Sequence, residues 1–302
     1  MVNVQHKKLD DQAITSKSTP GWKMAWREIL YDKVSLISLI LVVCIMIVVY
    51  GGTIVLEQDE IVKVDLFSIH APPSSEFWLG TDYGGRDIFG QLIIGTRNSL
   101  SIGILVTLLS GVVGIIFGLT SGYYGGFVDN VLMRIVDFFM FLPNLLIIIV
   151  FVAIVPDYSV ITFALIMTLF QWMPIARMLR SKALQQRELQ YVEASKTLGS
   201  SNLRVMFREV MPNLSSIIIV TMTLQLAMNI GIESGLSFLG FGLPESTPSL
   251  GTLVSYATNP ATLESRWWIW LPASLLILIL MLCVNNVGQA IKRATDARQR
   301  RV

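Results

Sequence analysis

Long stretches without charged residues alternate along this chain with short charged segments. Six of the uncharged stretches approach or exceed the roughly 20 residues that a helix needs to cross the hydrocarbon core of a bilayer: 34–56, 99–123, 138–156, 158–176, 210–232 and 267–291. Only Asp157 separates the third stretch from the fourth, which predicts a hairpin of two spans with a very small tip. The pattern therefore predicts an all-α integral membrane protein with six transmembrane helices.

The composition agrees with a membrane protein. Hydrophobic residues make up 53% of the 302 residues and charged residues 15%, and the mean hydropathy is +0.62. A soluble enzyme of this size would not bury so much apolar surface. The formal net charge of +2 argues against nucleic acid as a partner. Cys44 and Cys283 both lie in apolar stretches, so we expect two buried thiols rather than a disulfide or a zinc site.

Lysine and arginine are unevenly distributed between the two sides that six spans would define. If the N-terminus is cytoplasmic, 19 of the 23 basic residues face the cytoplasm. The four on the other side are Lys63, Arg86, Arg97 and Arg266. This asymmetry predicts that both termini are cytoplasmic.

This topology divides the chain into segments. Residues 1–33 form a cytoplasmic N-terminal segment, and 34–56 form the first span. Residues 57–97 form an extracytoplasmic loop, 98–291 hold the other five spans with a cytoplasmic loop at 177–211, and 292–302 form a basic cytoplasmic tail. Within the first segment, the helical spacing of Trp22, Trp26 and Ile29 predicts an interfacial helix; a disordered tail that contains two tryptophans is the alternative.

The loop 177–211 has the pattern of two helices. Strong helix formers run from Arg177 to Gly199, where the glycine is placed to end a helix. A second helix is predicted from Ser200–Asn202, with an apolar face of Leu203, Met206, Phe207, Val210 and Met211 in front of Pro212. A short helix held between two spans can dock in a groove of a cytoplasmic partner. A solvated basic loop without a partner is the alternative interpretation.

Three separated motifs resemble those of one family. Glu193-Ala194-Ser195, with Gly199 and Pro212 at the expected distances, is similar to the EAA loop of ATP-binding-cassette (ABC) importer permeases. The stretch 78–87 resembles the LGTDxxGRD motif of the C-type permease subunits that serve dipeptides, oligopeptides and nickel, and 236–242 resembles their LSFLGLG motif. The tail after Asn285 departs from the family because it lacks the usual acidic character.

The resemblance implies a type I importer fold of the MetI kind in the plasma membrane of a prokaryote. It also implies a second homologous permease subunit, two cytoplasmic ATPases that bind ATP and Mg, and an extracytoplasmic solute-binding protein. The cargo it implies is a peptide, with nickel or a metal chelate as the alternative. The coupling residues that it implies are Tyr191, Glu193, Ala194, Ser195, Leu198, Gly199 and Pro212, and the extracytoplasmic motif residues are Gly80, Thr81, Asp82, Gly85, Arg86 and Asp87.

The residues themselves indicate a transport subunit rather than an enzyme. The sequence contains no Gly-x-x-x-x-Gly-Lys-Ser/Thr loop, so we expect no nucleotide or other cofactor on this chain. It also lacks His-Glu-x-x-His and Gly-x-Ser-x-Gly motifs. In the stretch 80–87, two carboxylates are too few for a calcium site, and the glycines are typical of tight turns.

Glu233 is the one carboxylate deep in an apolar context. An acidic residue inside a membrane is a candidate for the transport pathway. Alternatively, Glu233 lies near the end of a span and snorkels outward, which is the interpretation that the sequence favours. A self-contained secondary transporter remains a remote alternative, because it would need several such ionisable groups.

Three further patterns predict helix packing and shape. Gly114, Gly118 and Gly122 form a small-residue face for close packing of helices. Pro143, Pro156 and Pro174 predict kinks in the middle spans. Arg134 and Asp137 are three residues apart, which predicts an ion pair along one helix.

Overall fold

The computed structural model describes residues 21–156 and 158–299, which are mainly helical. About 79% of the described residues are helical, and among them there is no strand, only an isolated antiparallel bridge between Thr81 and Asp87. The helices are α1 Gly21–Tyr31, α2 Lys33–Val55, α3 Gln58–Ile61, α4 Ile88–Tyr124, α5 Gly126–Phe141, α6 Asn144–Ile154, α7 Val160–Gln171, α8 Met173–Arg187, α9 Gln190–Thr197, α10 Asn202–Val205, α11 Met211–Phe238, α12 Leu250–Ser255, α13 Pro260–Ser265 and α14 Trp267–Gln299. A π-helical segment, Met206–Val210, joins α10 to α11, and a 3₁₀ turn, Tyr256–Thr258, follows α12.

Four helices in the described ranges are long and apolar enough to cross a membrane: Lys33–Ile54, Ile88–Tyr124, Asn202–Phe238 and Trp267–Thr295. Two further pairs qualify only when each pair is taken together. They are α5 with α6, bent by 79°, and α7 with α8, bent by 43°. The structure thus has four candidate spans, or up to six if each bent pair counts as one.

The predicted third span, 138–156, is not one straight helix. Helix α5 ends at Phe141, α6 begins at Asn144, and the two axes differ by 79°. Pro143 lies at the break, where its missing N–H and its ring prevent the helix from continuing. Helix α6 has 11 residues, a length of only about 16 Å. The kink predicted at Pro143 is confirmed, and so is the one at Pro174, which follows the break between α7 and α8 at Trp172.

Helix α4 lies at the centre of the fold and packs closely against α8. A Cβ atom on Gly118 would lie 2.6 Å from the carbonyl oxygen of Ala176, and one on Gly122 would lie 2.5 Å from that of Arg180. These contacts leave no room for a side chain, so the predicted small-residue face is confirmed as a packing surface. Helices α7, α11 and α12 also pack on α4.

The first and last described helices are held together. Arg293 on α14 forms an ion pair with Asp32 at the start of α2 and lies 3.7 Å from Glu28 on α1. Ile29 is buried against this junction, whereas Trp26 is half exposed. The side chains of Trp22 and of residues 296–299, and residues 300–302 of the predicted basic tail, lie outside the described part of the chain. The sequence does not predict the contacts of the tail. The structure shows that its residue Arg293 contacts α1 and the start of α2.

The two ends of the helix bundle carry different segments. Loops 57–87 and 239–266 meet at one end, where Gln58 donates a hydrogen bond to the carbonyl oxygen of Ser246 at 3.1 Å; we call it the loop end. At the other end of α4, Tyr123 donates a hydrogen bond to Asn202 at 3.0 Å. We call this the EAA end. The Asp32–Arg293 junction lies on the same side, because α2 runs from this junction to the loop end and α14 runs from the loop end back to the junction.

One expectation about the cysteines is wrong. Cys283 is buried, but Cys44 is exposed on the surface of α2. Apolar residues surround Cys44 in the sequence, yet α2 presents most of its apolar side chains outward, as a helix that faces lipid does.

Candidate coupling site

The segment from Arg177 to Gly199 forms two helices rather than the single one that its composition predicts. Helix α8 ends at Arg187, and after a break at Glu188–Leu189 the short helix α9 covers Gln190–Thr197. Gly199 follows with a φ of +84°. Its N–H donates to the carbonyl oxygen of Lys196 at 2.9 Å, and the N–H of Ser200 donates to that of Ser195 at 3.1 Å. These two bonds form a Schellman motif, which confirms the predicted glycine cap.

One side of α9 is fixed to the rest of the protein. Val192 is fully buried in a cluster that includes Leu119 and Ala183. Ser195 Oγ donates a hydrogen bond to Glu209 Oε1 at 2.5 Å. The Lys196 Nζ lies 4.9 Å from the centre of the Tyr123 ring, a cation–π distance. Helix α9 is therefore attached to α4 and to the segment that leads into α11.

The opposite side of α9 is exposed. Glu193, Ala194 and Thr197 are all exposed. Leu198, which follows the helix, is 86% exposed. A large apolar side chain this exposed beside an attached helix is typical of an interaction surface.

The apolar face predicted for the second helix is wrong at two positions. Leu203 and Phe207 are exposed, and the buried residues are Val205, Met206 and Val210. The π-helical segment Met206–Val210 explains the difference, because its extra residue per turn rotates the apolar face away from the α-helical spacing. Pro212 lies in the first turn of α11 and lacks an N–H, and the N–H of the preceding Met211 bonds to the carbonyl oxygen of Met206. Leu203 and Phe207 thus join Leu198 on the exposed surface.

Tyr191 lies at the edge of a cavity next to this surface. Its hydroxyl donates a hydrogen bond to Gln186 Oε1 at 2.9 Å, and burial raises the pKa of this phenol. The cavity, of about 580 Å³, lies between α8, α9, α11 and Thr295 of α14. Of the predicted coupling residues, the structure thus places Tyr191 and Ser195 on the attached side of α9, and Glu193, Ala194, Leu198 and Gly199 on its exposed side. Pro212 lies in the first turn of α11 and is exposed.

The glycine-rich motif at residues 80–87 forms a turn whose charges are paired within the chain. Asp82 is fully buried. Its carboxylate accepts hydrogen bonds from the Gly84 N–H at 2.8 Å, the Arg86 N–H at 3.0 Å, Arg86 Nε at 2.8 Å and Gln91 Nε2 at 3.0 Å. Gly85 has a φ of +72°, and a Cβ atom there would lie 1.9 Å from the carbonyl oxygen of Asp65. These contacts confirm tight turns at the glycines.

The remaining residues of this motif connect the turn to other segments. Thr81 bonds to the carbonyl oxygen of Ser68, and Asp87 accepts a hydrogen bond from the Gly90 N–H at 2.8 Å at the start of α4. Gly80 has a φ of +69°. Arg86 lies 3.4 Å from the Tyr256 hydroxyl and 3.8 Å from Glu245. The motif therefore ties loop 57–87 to loop 239–266.

The expectation that Glu233 snorkels outward is wrong. Its side chain is fully buried. Ser237 Oγ donates a hydrogen bond to Oε1 at 2.9 Å, and Ser234 Oγ donates one to Oε2 at 3.3 Å. The carboxylate accepts hydrogen bonds from serine hydroxyls of the protein, whereas snorkelling would expose it to water. Its pathway role stays a prediction.

The predicted ion pair between Arg134 and Asp137 is also wrong. Asp137 pairs with Arg177 of α8 instead. A second pair joins the same two helices, since Arg180 Nη2 lies 2.6 Å from Asp129 Oδ2. Contacts between α5 and α8 thus take precedence over pairing along one helix.

Within the described part of the chain, no group of three or more His, Cys, Asp or Glu residues could hold a metal ion.

Comparisons with known proteins identify the family. A family model described as "Binding-protein-dependent transport system inner membrane component" matches residues 114–301. The chain is 45% identical over 273 residues to the oligopeptide transport system permease protein OppC of Lactococcus lactis subsp. cremoris (strain SK11), covering 90% of this chain and 93% of that protein. It is 35% identical over 292 residues to OppC of Bacillus subtilis (strain 168), covering 97% and 94%. It is 32% identical over 298 residues to the dipeptide transport system permease protein DppC of the same strain, covering 98% and 92%. The chain therefore belongs to the inner membrane components of binding-protein-dependent transport systems.

Proposed function

We propose that this chain is a permease subunit of an ABC importer and forms part of a translocation pathway for oligopeptides. The observation that supports this most strongly is the 45% identity to an oligopeptide permease over nearly the full length of both proteins. The second relative with an oligopeptide name covers 97% of this chain. The substrate class we assign is therefore peptides rather than nickel or metal chelates.

We propose six membrane spans, with each bent helix pair counted as one, and a plasma-membrane location. The EAA end would then face the cytoplasm, because its loops carry most of the basic residues. The described beginning of α2 and the end of α14 lie on that same side, which supports cytoplasmic termini. In this orientation, the loop end faces the solute-binding protein.

The exposed side of α9 is the proposed docking site for an ATPase subunit. The complete importer would contain a second permease subunit and two ATPases, which bind ATP and Mg and supply the energy. The surface around Glu193 and Leu198 offers both a charge and an apolar side chain to a groove on such a partner. We do not expect this chain to hydrolyse ATP.

The attached side of α9 would carry a movement of the ATPase into the membrane. The Ser195–Glu209 hydrogen bond leads to α11, and the Lys196–Tyr123 contact leads to α4. Helix α8 would follow α4, because no side chain separates them at Gly118 and Gly122. A tilt of α9 therefore displaces several spans together and changes which side of the pathway is open.

Charge reversal at Glu193 tests the docking. In the assembled importer, Glu193→Lys should abolish peptide-stimulated ATP hydrolysis and lower ATPase association by at least about tenfold, because a buried contact to a charge is lost. The measurement is ATPase copurification together with hydrolysis in proteoliposomes.

A matched variant controls for membrane insertion. Glu264→Lys reverses an equally exposed glutamate at the loop end and should leave ATPase copurification unchanged. If Glu193→Lys retains both ATPase binding and stimulated hydrolysis, α9 is not the docking site.

A further inference from the structure

A carboxylate without a cationic partner is buried where three helices meet at the loop end. Glu233 is fully buried on α11, and no ion pair to it occurs among the described residues. Burying a carboxylate costs several kcal/mol unless polar partners replace its water. A feature this costly needs a compensating role.

Serine hydroxyls provide the polar partners. Ser234 and Ser237 of α11 donate to the two carboxylate oxygens. Ser249, the N-cap of α12, is connected to the carboxylate through Ser237, because Ser249 Oγ donates a hydrogen bond to Ser237 Oγ at 3.4 Å. Both Ser237 and Ser249 are buried. Glu233 is therefore linked to α12 through the Ser237 hydroxyl.

Serine hydroxyls also attach residues 239–266, which we call the α12 hairpin, to the bundle. Ser249 Oγ lies 3.4 Å from Ser237 Oγ. The Leu250 N–H donates a hydrogen bond to Ser99 Oγ at 3.0 Å, and Asn98 Nδ2 donates one to the carbonyl oxygen of Pro248 at 2.7 Å. These bonds join the start of α12 to α4 and to Ser237, the residue that donates to Glu233.

The packing around this junction leaves little tolerance for movement. A Cβ atom on Gly251 of α12 would lie 2.4 Å from Ser237 Cβ, and one on Gly95 of α4 would lie 3.0 Å from the carbonyl carbon of Ser249. The hairpin thus packs tightly on α4 and α11, and Glu233 accepts from the Ser237 hydroxyl to which Ser249 of the hairpin donates.

Glu233 also belongs to a polar stripe along α11. Gln225, Asn229, Glu233 and Ser237 follow one another at intervals of four residues and so lie on one face of the helix. Asn229 Nδ2 donates a hydrogen bond to Thr107 Oγ1 of α4 at 2.9 Å, and Gln225 Nε2 donates one to Asn229 Oδ1 at 3.2 Å. The stripe connects the hairpin junction to the middle of α11.

We propose that Glu233 is a positioning residue that fixes the α12 hairpin to the ends of α4 and α11, so that the hairpin moves with α11. The attachment follows from the contacts of this chain alone. Its consequence for transport rests on the proposed function, because only in a working importer does the hairpin follow a movement that starts at α9.

Two substitutions separate hydrogen bonding from packing in the assembled importer. Glu233→Leu keeps the approximate volume and removes the acceptor. Glu233→Gln keeps an acceptor oxygen, and the hydroxyls can rotate to accept from its amide. The primary measurement is hydrogen–deuterium exchange of the amides of residues 250–255, which reports release of the hairpin.

We expect Glu233→Leu to accelerate exchange at the Leu250 and Leu253 amides by about tenfold or more, and Glu233→Gln by less than about threefold. Ser237→Ala removes the hydroxyl that donates to Glu233 and accepts from Ser249, and it should have an intermediate effect. Ser255→Ala is the matched control, because the Ser255 hydroxyl bonds only to the carbonyl oxygen of Thr252 within the hairpin. It should exchange like the unaltered protein.

Peptide import is the second measurement, and it should fall about tenfold in Glu233→Leu and be rescued in Glu233→Gln. Unaltered exchange in Glu233→Leu overturns the proposal. Equally fast exchange in the Leu and Gln variants overturns it as well, because hydrogen bonding would then not be the cause. If the unaltered complex imports no peptide, the proposed function fails, while the exchange comparison still decides the positioning role.

Discussion

Asp82 and Arg86 form an ion pair whose two members are both almost completely buried. The pair is compensated because four donors surround the carboxylate, and Arg86 has the Tyr83 ring 4.9 Å away as a further partner. Removing Asp82 would leave the buried Arg86 with only the exposed Glu245, 3.8 Å away, as a counterion. Such single deletions are far more damaging than the loss of an exposed pair.

Asp82→Ala should therefore destabilise the loop end by about 3–5 kcal/mol. The expected result is a lower midpoint of thermal unfolding for the purified subunit in detergent. Asp59→Ala, which truncates an exposed aspartate in the neighbouring α3, should leave the midpoint unchanged. Equal midpoints for the two variants would show that Arg86 finds another partner.

Individual residues also show what the sequence could not predict. The glycine cap at Gly199 depends on neighbours in the chain, so its role followed from the sequence alone. The surroundings of Glu233 depend on Ser249, which lies at the start of another helix, and a pattern along one helix does not contain it. The same holds for Asp137, whose partner Arg177 lies on another helix element.

At the level of elements, the contact between α4 and α8 brings two helix main chains together. Gly118 and Gly122 approach main-chain atoms, which cannot rotate away as a side chain can. A substituent on either glycine must push the two helices apart. The proposed transmission of movement from α9 depends on this contact.

Gly118→Ala should cost about 1–3 kcal/mol of stability and reduce the yield of assembled importer, because the added methyl group meets a carbonyl oxygen. Gly51→Ala is the matched control, since a Cβ atom on Gly51 of α2 has no atom within 4 Å. Thermal unfolding and size-exclusion yield measure both variants. A Gly118→Ala protein as stable as Gly51→Ala would mean that α4 and α8 separate without cost.

Element boundaries show where a hydrophobic pattern is sufficient. The predicted first span, 34–56, agrees with α2 at Lys33–Val55 to within one residue at each end. Charged residues mark both ends of this apolar helix, so the sequence alone is sufficient to locate it. The predicted third span, 138–156, covers the end of α5, the turn at Pro143 and α6, because the apolar pattern continues through this turn and does not record the change in direction. The sequence also does not predict that Leu203 and Phe207 are exposed. The π-helical segment before Pro212 alters the helical period from which the apolar face is predicted.

At the level of the whole molecule, the two ends of the bundle differ in structure. At the loop end, Arg86 of loop 57–87 contacts Glu245 of the α12 hairpin. The EAA end exposes one side of α9 and carries most of the basic residues. The proposed importer requires these ends to face opposite sides of the membrane.

Cysteine labelling in intact cells measures this orientation. In a variant with Cys44 and Cys283 replaced by serine, a cysteine at the exposed Glu264 should react with a membrane-impermeant thiol reagent from outside. A cysteine at the exposed Thr197 should react only after the membrane is permeabilised. External labelling of position 197 would contradict both the topology and the proposed ATPase contact.

The ion pair between Asp32 and Arg293 has a consequence for how the protein is made. Its members are 261 positions apart, so the ribosome releases the first apolar helix long before the last one exists. During synthesis, that helix lies in the lipid while Asp32 at its start still lacks Arg293 as a partner. The contact between Asp32 and Arg293 can form only after α14 is synthesised, so this junction between an early and a late helix closes at a late stage of biogenesis.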